Sequence, residues 1–426
     1  MADPFPQDRA HSTVALVLAG GRGSRLAPLT DARSKPAVPV AGQFRLIDVV
    51  LSNLANSGLR DVWIVEQYRP FTLNQHLAGG RPWDLDGTRH GLRLLPPAEG
   101  RTEEGFAAGN GHALLQQIPL LESFGAETVV VLSADHLYQF DLRPALEQHR
   151  SGAAELTLVT TRTDEDPSRF GVVQVDAQGV PTRYDHKPEQ PEGDLVATEI
   201  FIYDVAALAE VTRQLTAEQD DPEGDSLGDY GETIIPHFVE HRRTQTHRME
   251  GYWRDVGTVD AYFTAHMELL DGTGLDLARP GWPLVTNAVP APPAWIDTRA
   301  SVSASYVAPG CRVLGEVEHS IVGPGVVVEA GARVSRSVLL EDCVVPSGAV
   351  LESVIADVGG LFGDLPGRPG QAAFHGLHQV RADPPGRHDD VHGADLAGPL
   401  DVVDAVELLA HLGELLRAHG GAQLAQ

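Results

Sequence analysis

The chain predicts an α/β body built on a mostly parallel sheet, followed by a short parallel β-helix. Three observations carry this. Strand-like apolar runs alternate with helix-like patterns through about residue 160. Proline then gathers at Pro280, Pro283, Pro290, Pro292 and Pro293, which marks a linker. Beyond it begins an internal repeat of β-branched residues separated by glycine turns. A length of 426 residues suits two domains and a short third element better than one core.

The elements follow in order. Thr13–Ala19 is a β-branched apolar run of strand length, and it ends in Gly20-Gly21-Arg22-Gly23. Phe44–Ala55 places apolar residues at 44, 46, 47, 50, 51 and 54, a helical spacing. Leu59–Val65 and Thr128–Leu132 are further strands, with a helical pattern at Ala113–Leu121 between them. Ala153–Thr160, Gly171–Val175, Leu195–Tyr203 and Thr244–Met249 add strands, Phe238 sits in a helical stretch, and Val259–Leu270 reads as a helix. After the prolines, Ser305-Tyr-Val, Ser320-Ile-Val, Ser337-Val-Leu and Ser353-Val-Ile recur, with Pro309-Gly310, Pro324-Gly325, Ala330-Gly331 and Pro346-Ser347-Gly348 between them. That is the signature of hexapeptide coils, and a short stack of them needs a cap or a partner subunit. Residues 359–400 are rich in Gly, Pro, Asp and His and read as a linker. Val402, Val406, Leu409, Leu412 and Leu416 then share one face of a terminal helix. The expected divisions are 1–275, 276–300, 301–358, 359–400 and 401–426.

A net charge of −27 and a pI near 4.9 argue against nucleic acid or an anionic membrane as partner. An anionic substrate would then need a locally basic pocket. Residues 20–60 offer one, with Arg22, Arg25, Arg33, Lys35, Arg45 and Arg60 against Asp31 and Asp48. Two cysteines, Cys311 and Cys343, form no disulfide framework and suit a reducing compartment. The N-terminal stretch has no apolar core of a signal peptide, and no run of about 18 apolar residues occurs, so a cytoplasmic location is expected. Only two of the 32 basic side chains are lysine: Lys35 and Lys187, each followed by proline. Lysine is a compact point charge and arginine a broad fork, so positions that keep lysine in an arginine-favouring chain read as crowded phosphate sites.

The glycines after the first strand let the backbone approach a ligand closely enough for its N–H groups to cradle phosphates. The spacing is neither a P-loop, which lacks its Gly-Lys-Ser/Thr here, nor Gly-x-Gly-x-x-Gly. Leu18-Ala-Gly-Gly-Arg-Gly-Ser-Arg-Leu26 followed by Ser34-Lys-Pro-Ala-Val38 resembles the sugar-1-phosphate nucleotidyltransferases. Phe44-Arg-Leu-Ile-Asp48, Leu51-Ser-Asn53, Asn56-Ser-Gly58, Gln67-Tyr68, Ala134-Asp-His-Leu-Tyr138 and Gly251-Tyr-Trp-Arg-Asp-Val-Gly-Thr258 narrow the resemblance to the ADP-glucose pyrophosphorylase branch. It extends from residue 13 to about 358.

The resemblance implies a Rossmann-like catalytic domain over 1–275 and a left-handed parallel β-helix. It implies Mg²⁺-dependent transfer from ATP to glucose 1-phosphate, with release of pyrophosphate, in α-glucan or glycogen synthesis. No nucleophilic side chain is needed, because catalysis is positioning and charge neutralisation. By resemblance Asp135 and Asp255 hold the metal, Arg25 neutralises the triphosphate and Lys35 supports the reacting phosphates. The nucleotide would meet Leu18, Ala19, Gly20, Gly21, Gly23, Gln67 and Gly109; the sugar phosphate would meet His186, Lys187, Glu199 and Asp229. The resemblance further implies a tetramer, or a hetero-oligomer with a paralogue, with effectors bound between the catalytic domain and the β-helix.

Three stretches depart from the family's pattern. The base-binding stretch, aromatic-Arg-Gly-Thr/Ser-Ala-Asp-Ala, stands here as Ala107-Ala-Gly-Asn-Gly-His-Ala113. Glu-Lys-Pro, whose glutamate binds sugar hydroxyls, stands as His186-Lys187-Pro188. Ser-Met-Gly in the sugar pocket stands as Ala197-Thr198-Glu199. These leave two alternatives beside the main reading: another sugar 1-phosphate, where an amino sugar would suit Glu199, or a catalytically weak regulatory subunit.

Overall fold

Thr13–Ala19 is the strand around which the sheet is organised. It pairs in parallel with Asp61–Glu66 on one side and Thr128–Ser133 on the other, Val14 lying opposite both Asp61 and Val129. Leu92–Leu95 extends the parallel run at the edge. Past Thr128–Ser133 the direction changes: Leu195–Asp204 runs antiparallel to it and to Leu156–Arg162. Gly171–Val175 and Pro181–His186 form an antiparallel pair beside it, and Thr244–Arg248 returns parallel to Leu156–Arg162. The nine-stranded sheet thus has four parallel strands running from Thr128–Ser133 to the Leu92–Leu95 edge and a mostly antiparallel remainder. The structure is a computed structural model describing residues 12–21, 23–96, 109–219, 221, 224 and 227–360. Arg22, Ala107, Ala108, most of the expected 359–400 linker and the helical pattern at 402–416 lie outside the described residues.

Alternation along the first strand explains its two-sided burial. Val14 and Leu16 face a cluster with Trp63, Val131, Phe201, Leu208 and Phe238, covered by helices Val205–Glu218 and Ile234–His241. Ala15 and Val17 face the opposite cluster with Ile47, Leu51, Ile64 and Leu132, covered by helix Leu46–Asn56. The parallel strands run in one direction, so their C-terminal ends deliver Gly20, Gln67 and Asp135 to one edge, where α/β sheets bind ligands.

Some boundaries differ from the sequence expectation for identifiable reasons. Phe44–Arg45 is a short strand against Pro39–Val40, and the helix begins at Leu46, where Asp48 accepts the Arg45 N–H at 2.8 Å. The pattern at Ala113–Leu121 splits into Asn110–Leu115 and Ile118–Phe124. Pro119 has no N–H to continue the first helix but fits the first turn of the second. The strand expected from Ala153 starts at Leu156, since Ala153 takes a left-handed φ of 47° that closes the turn after helix Leu142–Ser151.

Asn53, fully buried, fastens this body from within. Its amide donates to the carbonyls of Val49 and Tyr138, both at 2.9 Å. Its oxygen accepts the Phe140 N–H at 3.0 Å and the Trp282 indole N–H at 2.8 Å. The Leu51-Ser-Asn53 motif is therefore structural: it ties helix Leu46–Asn56 to the segment after Tyr138 and to the proline-rich stretch. Asn53→Ala should destabilise the protein by about 2–4 kcal/mol, because two N–H donors and two carbonyl acceptors each lose a hydrogen bond. A urea midpoint lowered at unchanged slope is the expected readout.

After the prolines the chain winds into three four-stranded parallel sheets, the faces of a β-helix. Val313 pairs with Val328 and Val328 with Val345, so equivalent positions stack. The repeated serines stack too. Ser305 Oγ accepts the Ser320 N–H, Ser320 Oγ the Ser337 N–H, and Ser337 Oγ the Val354 N–H, at 3.0, 3.0 and 3.1 Å. One side of the stack joins the α/β body: Ile321, Val338, Leu340 and Ile355 share a core with Val40, Phe44, Tyr262 and Met267. Arg33 pairs with Asp357 at 2.7 Å and Arg45 with Glu341 at 3.4 Å across the same junction. A cleft of about 250 Å³ opens there, lined among others by Arg45, His76, Pro290 and Glu341.

Candidate active site

The glycine loop closes over Lys35. Gly23 has a left-handed φ of 64°, and its carbonyl accepts the Thr30 hydroxyl at 2.9 Å. A Cβ on Gly23 would lie 3.0 Å from Lys35 Cβ and from Thr30 Cγ2, so a side chain there would press on both. Gly20 approaches Gln67 as closely; its Cβ would lie 2.6 Å from Gln67 Oε1. Leu18 and Ala19 belong to the strand itself, and Gly21 is exposed. Arg25 stands exposed on the turn Ser24–Leu26.

Lys35 is 7% exposed, and its Nζ lies 2.5 Å from Asp135 Oδ2 and 3.8 Å from Asp255 Oδ1. Asp135 follows strand Thr128–Ser133 and also accepts the Ser133 hydroxyl. Asp255 lies on Trp253–Asp255, a strand that pairs antiparallel with His136–Tyr138 so that Asp255 stands opposite His136. His136 Nε2 lies 3.6 Å from Asp135, 3.5 Å from Asp255 and 3.9 Å from Glu199. Its Nδ1 donates to the Thr198 carbonyl at 3.2 Å, which sets the ring.

The electrostatics follow from this packing. Burial alone would lower the Lys35 and His136 pKa values, but the carboxylates outweigh it. Lys35 moves up, and His136 rises to about 9. Burial alone would raise Asp135 and Asp255, yet both are held below the usual carboxylate range, Asp135 by Lys35 and His136, Asp255 by the His136 hydrogen bond and charge. Glu199 goes the other way: burial and the charges of Asp135, Asp255 and Asp229 push it up against the pull of His136. Both aspartates are therefore ionised at neutral pH, held by Lys35 and His136 and, at Asp255, also by Arg169.

His186 and Asp229 meet beside this centre, His186 Nε2 lying 3.7 Å from Asp229 Oδ2. Asp229 Oδ1 accepts the Gly231 N–H at 2.8 Å. Lys187 is exposed in a left-handed conformation (φ 45°), and its N–H donates to Phe170 O at 3.0 Å. Gly109 joins the 227–230 segment: a Cβ there would lie 2.2 Å from Gly228 O. Asn110 Oδ1 accepts the Tyr230 N–H at 2.8 Å, and Gly111 N–H donates to Gly228 O at 2.9 Å. The altered stretch at 109–111 is thus spent on holding the segment that carries Asp229.

Of the residues expected from sequence, Lys35, Asp135, Asp255 and Glu199 share one cluster, with Gly23 against Lys35. Gly20 is with Gln67, and His186 is with Asp229. Arg25 and Lys187 form no ion pair with those carboxylates among the described residues. Two residues were not anticipated. His136 lies inside the quoted Ala134–Tyr138 motif and bridges three carboxylates. Arg169 is held by Glu165 at 3.2 Å and reaches within 3.9 Å of Asp255 Oδ2; only the capping signal of Asp166 marks its turn.

Comparison with known proteins places this arrangement. Residues 14–272 match the family described as Nucleotidyl transferase, and residues 293–361 match the GlmU-like, C-terminal hexapeptide family. Among similar curated proteins is a glucose-1-phosphate adenylyltransferase of Clostridioides difficile (strain 630), 36% identical over 334 residues, covering 78% of this chain and 86% of the relative. Another so named, from Thermomicrobium roseum, is 40% identical over 346 residues and 80% of each chain. One from Thermotoga maritima is 37% identical over 327 residues and 76% of each.

Proposed function

The chain belongs to the nucleotidyl transferase family, and on that premise we propose that it transfers the adenylyl group of ATP to glucose 1-phosphate. The products are ADP-glucose, a donor for α-glucan synthesis, and pyrophosphate. The observation that supports this best is Lys35: a buried cation under the glycine loop, bound by the carboxylate that follows strand Thr128–Ser133 and by the one that ends strand Trp253–Asp255. The sugar phosphate oxygen attacks the α-phosphorus in line and pyrophosphate departs, so the protein must orient two anions and offset their charge. Loop N–H groups from Gly20 to Gly23 and Arg25 take the triphosphate, with Leu18 and Ala19 shaping the approach. Gln67 and Gly109 take the base side. Lys35 takes the reacting phosphates, and Lys187, exposed next to His186, takes the sugar phosphate.

Nucleotidyl transferases generally use a divalent metal. Two ionised carboxylates fit Mg²⁺, which takes one or two of them plus phosphate oxygens rather than a full protein cage. Among the described residues no group of three or more His, Cys, Asp or Glu is arranged to hold a metal by itself. Asp135 and Asp255 would hold Mg²⁺, which when bound would neutralise phosphate charge. Assembly through the β-helix is part of the same reading: Trp295, Ile296 and Tyr306 on its first coil are exposed, an apolar edge suited to covering by another subunit in a tetramer. Both cysteines are free, which suits the cytoplasm, and no helix among the described residues is long and apolar enough to cross a membrane.

Pyrophosphate release measured for the full chain against a panel of nucleoside triphosphates and sugar 1-phosphates tests the reading. ATP with glucose 1-phosphate should give the highest kcat/KM, and a chelator should abolish it. Binding without turnover for every pair would leave only the regulatory-subunit alternative.

A further inference from the structure

The two oxygens of Asp255 face different partners. Oδ1 lies 3.8 Å from Lys35 Nζ and 3.5 Å from His136 Nε2. Oδ2 faces Arg169, whose Nη2 is 3.9 Å away. Gly257 closes on the same oxygen: a Cβ there would lie 2.8 Å from Oδ2. Arg169 Nη2 is buried and makes no hydrogen bond. The guanidinium therefore restrains Asp255 by charge alone and leaves the Oδ2 lone pairs uncommitted.

Arg169 is itself held by Glu165, and Glu165 holds a second arginine. Its Oε2 pairs with Arg169 Nη1 at 3.2 Å, and its Oε1 pairs with Arg254 Nη1. Arg254 precedes Asp255 on strand Trp253–Asp255, where successive side chains point to opposite faces. One carboxylate thus reaches both faces of that strand, Arg254 directly and Asp255 through Arg169. Glu268 takes the rest of the Arg254 fork, accepting from Nε at 2.8 Å and also from Nη2. The turn that carries Glu165 and Arg169 is pinned separately. Thr163 Oγ1 accepts the Glu165 N–H at 3.1 Å, and Asp166 Oδ1 accepts the Ser168 N–H at 3.0 Å. Phe170 then packs edge-on to Trp253, their ring centroids 5.2 Å apart.

We propose that Glu165 is a positioning residue for Asp255 and acts on it through Arg169. The inference rests on the adenylyl-transfer reading above, in which Asp135 and Asp255 would hold Mg²⁺. Of the two carboxylates beside Arg169, Glu165 is the nearer, so it keeps the guanidinium on its own turn. Without Glu165, Asp255 becomes the partner left to Arg169, which would draw Oδ2 toward itself and away from the Lys35 centre. Mg²⁺ tolerates little error in ligand direction, and groups behind a metal ligand commonly change metal affinity by about 10–100-fold. The fold has less at stake. With Glu165 gone, Arg169 still has Asp255 and Arg254 still has Glu268, so no buried ion is left alone.

The test is ATP binding to the full chain by calorimetry, with Mg²⁺ and with a chelator. Sugar phosphate is omitted, so no turnover intrudes. Mg²⁺ should tighten ATP binding by the parent about tenfold or more. In Glu165→Gln that gain should fall about fivefold or more, with binding in chelator unchanged within about twofold. The thermal midpoint should stay within a few degrees, since the lost pairs are partly exposed. In an Arg169→Gln background, Glu165→Gln should alter the gain by less than about twofold, because its route to Asp255 is already cut. Pyrophosphate release adds a second readout. Glu165→Gln should need about tenfold more Mg²⁺ for half-maximal rate, and saturating Mg²⁺ should restore kcat to within about fivefold of the parent. An unchanged Mg²⁺ gain in Glu165→Gln overturns the proposal, whatever happens to the thermal midpoint. So does an equal loss in the Arg169→Gln background, since Glu165 would then act by another route. A parent whose ATP binding ignores Mg²⁺ overturns the metal reading and this inference with it, and that outcome is recognisable before any substitution is made.

Discussion

Asp135→Asn should lower kcat for pyrophosphate release by about three orders of magnitude, with little change in thermal midpoint. The substitution is nearly isosteric, so shape is kept and one charge goes. The local balance explains why stability is spared. Asp135, Asp255 and Glu199 face three cations, Lys35, protonated His136 and Arg169, within 2.5–3.9 Å. Removing one of three negative charges leaves Lys35 and His136 with Asp255, and Arg169 with Asp255 and Glu165, so no buried ion is left unpaired. Function is not spared, because a metal shared with phosphate oxygens would lose one of its two carboxylates. The variant should also need a higher Mg²⁺ concentration for half-maximal rate, which separates lost metal binding from misfolding. Activity within about threefold of the parent would mean that Asp135 holds neither metal nor phosphate charge.

What the sequence disclosed and what it withheld divide along physical lines. Strands buried on both faces, such as Thr13–Ala19 and Thr128–Ser133, declare themselves as continuous apolar runs. The solvent-facing helix Leu142–Ser151 is mixed in composition, and the half-buried hairpin strand Pro181–His186 lacks such a run. Val205–Glu218 was nonetheless legible in principle. Asp204 accepts the Ala207 N–H at 2.8 Å, the N-cap that an Asp before an alanine-rich run announces. In the site, motif residues were legible because each carries a rare combination of residue types. His136 was quoted within a motif but given no role, since only the strand pairing that sets it opposite Asp255 explains its partners. Nor could the left-handed backbone at Glu199, with a φ of 56°, be read from a residue name.

Lys35→Arg keeps the charge and should still lower kcat by about two orders of magnitude or more. The test isolates shape, because both side chains are cations at neutral pH. Lys35 is raised from its ordinary range, so its pairing stabilises the fold fully below the unfolded pKa of about 10.4 and weakens only as pH climbs through the higher folded value. Charge is thus constant across any practical assay, and geometry decides the outcome. The ammonium fits a point 2.5 Å from Asp135, on a stem whose Cβ already lies 3.0 Å from where a Gly23 side chain would begin. A planar guanidinium cannot enter that space without displacing the glycine loop or the Asp135 carboxylate, both of which the proposed reaction uses. Lys35→Ala should be worse in a second respect. It leaves Asp135 and Asp255 partly buried with one of their two shared cations gone, which destabilises by about 3 kcal/mol, so its thermal midpoint should fall well below that of Lys35→Arg. Lys187→Arg supplies the contrast. That side chain is exposed, so a guanidinium can swing clear and only KM for the sugar phosphate should change, by a few-fold. If Lys35→Arg behaved as mildly as Lys187→Arg, crowding would not be the reason that lysine persists under the glycine loop.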